Sequence, residues 1–172
     1  MAYGILTDEM KALLKPFIEG KQVWDLGAGD MERAEELMQL GAHVTAIDKA
    51  PMRPVPGVTI MQTYFKALHG APDVVFMAWP VNNSGFHGAL PFIKRAPLLV
   101  YLGSNTDGSA CGTHQLFLEM RSRRLVGHAP HRRNSLLVLA GRIDEPAVES
   151  RTPEEAAQWS DAMMTWENAQ KT

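Results

Sequence analysis

The stretch that decides the fold is VWDLGAGDMERAEELMQLGAHVTAIDKA, Val23 to Ala50. Val23–Leu26 is a short apolar run that stops at a tight turn, Gly27-Ala28-Gly29. Met31, Ala34, Leu37 and Met38 then recur at helical spacing, and Gly41 ends that helix. A second apolar run, Val44–Ile47, closes on Asp48. Strand, turn, helix, strand is a βαβ unit, and such a unit sets its two strands parallel.

Upstream, Thr7 can cap a helix whose first turn carries Asp8 and Glu9, where negative charge suits the helix dipole. Met10, Leu13, Leu14, Phe17 and Ile18 give it one apolar face, and Gly20 stops it. Downstream, KAPMRPVPG is too short and too rich in proline for a crossover helix. An irregular link is expected there, leading to a third strand, Val58–Gln62. TYFKALHGAP reads as a short helix or turn. DVVFMAW reads as a fourth, buried strand. SGFHGALPFIKRA is weakly helical and interrupted by Pro91, and PLLVYLG is a fifth buried strand. THQLFLEMRSR is a helix with Leu116, Phe117 and Met120 inward. RLVGHAP and NSLLVLAGR are two strands joined too closely for a crossover, so they form an antiparallel hairpin. At the end, Thr152, Pro153 and Glu155 make a capping box. Trp159, Met163 and Trp166 stripe the helix that follows, to dock on the domain's own core or to form a dimer interface. The class is α/β: a three-layer Rossmann-like sandwich around a mostly parallel seven-stranded sheet, with an antiparallel hairpin at its carboxyl-terminal end.

At 172 residues the chain is expected to be one domain, 1–172. Its formal charge of −2 gives no general attraction to nucleic acid or acidic membranes. Cys111 is the single cysteine, so no internal disulfide forms and a reducing, cytoplasmic setting is expected. The first residues lack the pattern of a secretory signal. No apolar run approaches the roughly 20 residues that span a bilayer. The expected assembly is a monomer or homodimer with no membrane partner.

Two ligand classes suit a glycine turn between a strand and a helix. A dinucleotide needs G-x-G-x-x-G/A, and here Glu32 occupies the third, small position. Asp30 and Glu32 also place negative charge where a pyrophosphate would sit. A cationic ligand without phosphate reverses the sign of that argument. S-adenosylmethionine carries a sulfonium and an ammonium group. Asp25 can help hold its amino-acid end, Gly27, Ala28 and Gly29 let it approach the backbone, and Asp48 can accept from both ribose hydroxyls.

At these residues the sequence resembles the class I S-adenosylmethionine-dependent methyltransferases. DLGAGD resembles their first motif and VTAID their second, over a span from about Leu13 to Arg142. Met31 stands where the family often has a third glycine. The resemblance implies S-adenosyl-L-methionine as cofactor and a methyl acceptor of unknown class, small molecule, nucleic acid or protein group. It extends the cofactor set to Asp25, Gly27, Ala28, Gly29, Asp48, Lys49, Gln62, Tyr64 and Trp79. Gln62 would stand in for the adenine-binding acid that the family often has, with Tyr64 or Phe65 against the ring. AWPVNNSG resembles the fourth motif of the amino-methylating branch, but poorly. Ala78 replaces the polar residue, and only Pro80 is present of two prolines.

Ligands in open α/β sheets bind beyond the carboxyl ends of the strands. Trp79, Pro80, His87 and His131 are the catalytic-site candidates at that edge. Asn82, Asn83, Arg132 and Arg133 are the substrate-binding candidates, the arginine pair being suited to phosphate or carboxylate. Arg121, Arg123 and Arg124 belong to the opposite edge. His128 and His131 lack a third ligand nearby, so no metal site is expected. The leading reading is a methyltransferase of undefined acceptor. The second is a non-catalytic S-adenosylmethionine or nucleoside binder that keeps the cradle. An NAD-linked oxidoreductase is disfavoured by Glu32.

Overall fold

The computed structural model describes residues 5–50, 53–80, 88–104, 114–131 and 135–141. Twelve elements run in the order α1 (Asp8–Ile18), β1 (Gln22–Leu26), α2 (Glu32–Gln39), β2 (His43–Asp48), β3 (Thr59–Gln62), a 3-10 turn (Phe65–Ala67), β4 (Val74–Ala78), α3 (Leu90–Arg95), β5 (Leu98–Ser104), α4 (His114–Arg121), β6 (Arg124–His131) and β7 (Ser135–Gly141). The seven strands form one sheet in the order β3-β2-β1-β4-β5-β7-β6. The first five are parallel. β7 is antiparallel to both β5 and β6, so β6 runs the same way as β5.

Alternation along the strands feeds two cores. Val74 and Phe76 join Val23, Val44 and Ala46 on one face, beneath Met10, Leu14 and Ile18 of α1 and Ala34 and Leu37 of α2. Val75 and Met77 join Leu99 and Tyr101 on the other, beneath Phe92 and Ile93 of α3 and Leu116, Phe117 and Met120 of α4. Helices on both faces make the expected three layers. α1 also reaches over β6. A Cβ at Gly127 would stand 3.0 Å from Leu13 Cδ1, so a side chain there would require Leu13 to shift.

Most expected elements are present, with ends moved by a residue or two. Thr7 caps α1, its hydroxyl accepting from the Met10 N–H at 3.2 Å. Pro91 is a correction: it lies in the first turn of α3, where a missing N–H costs nothing, and so opens that helix rather than interrupting it. Arg123 is a second correction. It stands at the far edge as expected, but it is 3% exposed. Its guanidinium donates to the carbonyls of Ala96 at 2.6 Å and Ile93 at 2.8 Å and pairs with Glu119, so it ties the end of α3 to α4. The expected carboxyl-terminal helix with Trp159, Met163 and Trp166 lies outside the described residues. Among the described residues no helix is long and apolar enough to cross a membrane.

Candidate functional site

The parallel strands end level with one another. Leu26 pairs with Ile47, Asp48 with Gln62, and Ala78 with Leu102. On the far side Ser104 pairs with Ser135, which pairs with His131. The glycine turn, Asp48, Gln62, Trp79 and the end of β6 therefore share one edge of the sheet, the edge where such sheets hold ligands.

The turn after β1 is built from left-handed backbone. Gly27 has φ +78°, Gly29 φ +51° and Met31 φ +71°. Glycine takes such angles freely, and methionine does so under strain. Met31 is fully buried at the start of α2, so packing holds it in the conformation its side chain resists. The N–H groups of Gly27 and Ala28 donate to the Ile47 carbonyl at 2.7 and 3.3 Å. The Gly29 N–H donates to Asp48 Oδ2 at 2.9 Å, and Asp48 Oδ1 accepts from the Ala50 N–H at 2.8 Å. Asp48 thus shapes the turn, and each carboxylate oxygen keeps a second lone pair for another donor. Asp30 Oδ1 accepts from the Glu32 N–H at 3.0 Å, so the start of α2 is already met by a carboxylate.

Asp25 lies near the end of β1 and is 1% exposed. Burial pushes its carboxyl up from 3.8 to about 7. The Arg33 guanidinium opposes that rise, while the charges of Asp48 and Asp30 add to it. Arg33 is itself shared between Glu32 at 3.0 Å and Glu36 at 2.6 Å. Asp25 Oδ2 is buried and has no hydrogen-bond partner among the described residues.

On the β3 side, Gln62 is exposed and its Nε2 donates to the Lys49 carbonyl at 3.2 Å. The Lys49 side chain is in solvent. Tyr64 is 65% exposed. Phe65 is half-buried, and its ring tip would stand 4.0 Å from a Cβ on Gly27. Of the two aromatic residues, Phe65 is the one at the glycine turn. Its sequence signal was only its place after β3.

After β4, the Trp79 N–H donates to the Leu102 carbonyl at 2.7 Å. Trp79 has φ +48°, also left-handed. Its ring packs against the core that contains Leu26, Ile47 and Leu68, and its Nε1 is buried without a partner among the described residues. Pro80 behind it is buried. His131 ends β6 at the ligand edge. His87, Asn82, Asn83, Arg132 and Arg133 lie outside the described residues, as does the segment with Cys111. No cluster of three or more metal-ligating side chains occurs among the described residues.

No protein-family model and no curated protein matches the sequence. Solved structures do match. A protein from Thermoplasma acidophilum designated 1320 superposes with a TM-score of 0.57 at 16% identity, over 80% of this chain and 87% of that one. The 1,6-didemethyltoxoflavin-N1-methyltransferase of Burkholderia thailandensis, solved with 1,6-didemethyltoxoflavin and S-adenosylhomocysteine, gives 0.56 at 16% identity over 80% and 78%. The magnesium protoporphyrin IX methyltransferase of Synechocystis, solved with S-adenosylmethionine bound, gives 0.53 at 16% identity over 79% and 77%. At such identities the likeness establishes the fold. It is the Rossmann-like sheet that these methyltransferases use, with its antiparallel seventh strand.

Proposed function

We propose that the chain is a single-domain, cytoplasmic S-adenosylmethionine-dependent methyltransferase. The observation that carries this reading is the buried Oδ2 of Asp25, without a hydrogen-bond partner among the described residues, beside a glycine turn flanked by Asp30 and Asp48, with Arg33, already paired to Glu32 and Glu36, as the opposing charge. Such a cradle repels a pyrophosphate and suits a ligand with a cationic amino-acid end and neutral ribose hydroxyls. The residues fit that cofactor. Asp25 would meet its ammonium group. The backbone of Gly27, Ala28 and Gly29 would pass beneath it, and Asp48 would use its remaining lone pairs on the ribose. Phe65, Gln62, Tyr64 and Lys49 are the groups available to the adenine end, and Trp79 borders the cradle from β4. Bound there, the cofactor supplies a methyl group already activated on sulfur. The protein's task is then to orient an acceptor and keep water out.

The acceptor would enter over the end of β4 and the β6–β7 turn. Trp79, Pro80, His87, His131, Asn82, Asn83, Arg132 and Arg133 are the residues proposed to line that entrance. An anionic acceptor is favoured by the arginine pair. A second reading, a binder that keeps the cradle without transferring a methyl group, is favoured by Ala78, which offers no polar atom to an acceptor amine.

Calorimetry tests the reading. S-adenosylmethionine and its demethylated product, S-adenosylhomocysteine, should bind, and NAD and FAD should not. Tight NAD binding with no response to either adenosyl ligand would overturn it. Labelled S-adenosylmethionine incubated with extracts or nucleic-acid pools separates enzyme from binder.

A further inference from the structure

Trp79 bears three local costs at once. Its backbone is left-handed, φ +48°, although it carries a large side chain. It precedes Pro80, and a residue before proline is normally driven to extended backbone. Its indole N–H is buried with no acceptor among the described residues. The neighbouring structure holds it there. Its N–H continues the β4–β5 ladder onto Leu102 O at 2.7 Å, and its ring is packed against the core under Leu26 and Ile47. Strain and an unsatisfied donor gathered on one residue at a ligand edge point to a partner that arrives from outside.

An indole N–H donates and cannot accept. The residue before Trp79 is Ala78, which carries no accepting side chain. The end of β4 therefore offers a donor at Trp79 and no side-chain acceptor at Ala78.

We propose that the Trp79 indole N–H positions the methyl acceptor by donating to a carbonyl or carboxylate oxygen on it, so that the site selects acceptors bearing such an oxygen over simple amines. The proposal rests on the methyltransferase reading. Trp79 is a positioning residue here, and the hydrogen bond is to an oxygen that the acceptor presents.

The test uses the full chain labelled with nitrogen-15 at its indoles and saturated with S-adenosylhomocysteine. The Trp79 indole signal is assigned by its loss in Trp79→Phe. Benzoate and nicotinamide are titrated as carboxylate and carbonyl probes, with benzylamine as the amine. The expected result is a downfield move of the Trp79 indole proton with benzoate or nicotinamide and none with benzylamine. Trp79→Phe should then bind the effective probe at least tenfold more weakly. An unmoved signal with both oxygen probes overturns the proposal, as does an equal move with benzylamine. A move on adding S-adenosylhomocysteine alone also overturns it, by making the indole a cofactor ligand. Failure of S-adenosylhomocysteine to bind overturns the methyltransferase reading itself and the proposal with it. The wild-type spectra decide the matter even if Trp79→Phe folds poorly.

Discussion

Asp48 Oδ2 accepts a hydrogen bond from the backbone N–H of Gly29 at 2.9 Å, joining the end of β2 to the turn that follows β1. The carboxylate proposed to hold the ribose is thus also a strut of the glycine turn. Its two tasks use different lone pairs and are separable by substitution.

Asp48→Ala removes both tasks. S-adenosylhomocysteine affinity should fall by about 2–4 kcal/mol, on the order of 30- to 1000-fold. Because Gly29 and Ala50 lose their acceptor, the melting temperature should also drop by a few degrees. Asp48→Asn keeps one accepting oxygen and should lie between the two proteins in calorimetry. Unchanged affinity in a folded Asp48→Ala would remove Asp48 from the site.

Asp25 makes stability depend on pH in an unusual direction for a carboxylate. Its folded value, about 7, lies above the 3.8 of the free group. Between these values the folded protein keeps a proton that the unfolded chain has released. The contribution is fully present below about pH 4 and is lost as pH rises through about 7, on the order of 4 kcal/mol in all. Denaturant titrations from pH 5 to 8 should show this decline, and Asp25→Asn should flatten it. A cation bound beside Asp25 favours the ionised form. Binding of S-adenosylmethionine should therefore release a proton near pH 6 and tighten as pH rises to about 8. Calorimetry in buffers of different ionisation heat measures that release.

Met31 reverses an ordinary ranking. Cutting a fully buried methionine to alanine should cost about 2–5 kcal/mol. Met31→Gly loses the same packing but recovers about 1 kcal/mol of left-handed strain. Glycine should thus be the more stable of the two variants, although alanine is normally the better residue in a helix. Urea unfolding of the pair checks the order.

The arginines divide by position. Arg123→Ala should destabilise the fold on the order of 3 kcal/mol, because Ile93, Ala96 and Glu119 lose their buried partner. Arg121→Ala with Arg124→Ala should change stability by less than about 1 kcal/mol. If the acceptor is anionic, Arg132→Ala with Arg133→Ala should weaken its apparent affinity and leave S-adenosylhomocysteine binding intact. The Arg121 and Arg124 pair is the control for general charge. Equal losses from both pairs, read across a salt series, would indicate diffuse attraction only.

The layered sheet was legible because burial alternates along its strands and apolar residues recur at helical spacing along its helices. Pro91 was misread because a proline between apolar residues looks the same whether it opens a helix or breaks one. The deciding fact is where the first helical hydrogen bond falls. Arg123 was legible only as a residue of the far edge, since sequence does not show that its guanidinium meets carbonyls at the end of a helix 27 and 30 residues earlier. In the candidate site, the meeting of the Gly27–Gly29 turn with Asp48 was legible from the strand, turn, helix, strand pattern. The strain at Met31 had a faint signal, a bulky residue where the methyltransferases that the sequence resembles often place glycine. The strain at Trp79 had none, because backbone angles after a buried strand depend on what packs above it.

The place of β7 constrains the order in which the sheet can be completed. It is later in sequence than the six other described strands, yet it sits inside the sheet, between β5 and β6. During synthesis β5 and β6 leave the ribosome with facing edges unfilled, and the backbone groups along both must wait for Ser135–Gly141. A chain cut before Ser135 would lose one strand and expose two raw edges, each a template for pairing with another molecule. Premature termination in this fold should therefore yield clumping species in place of a smaller stable domain.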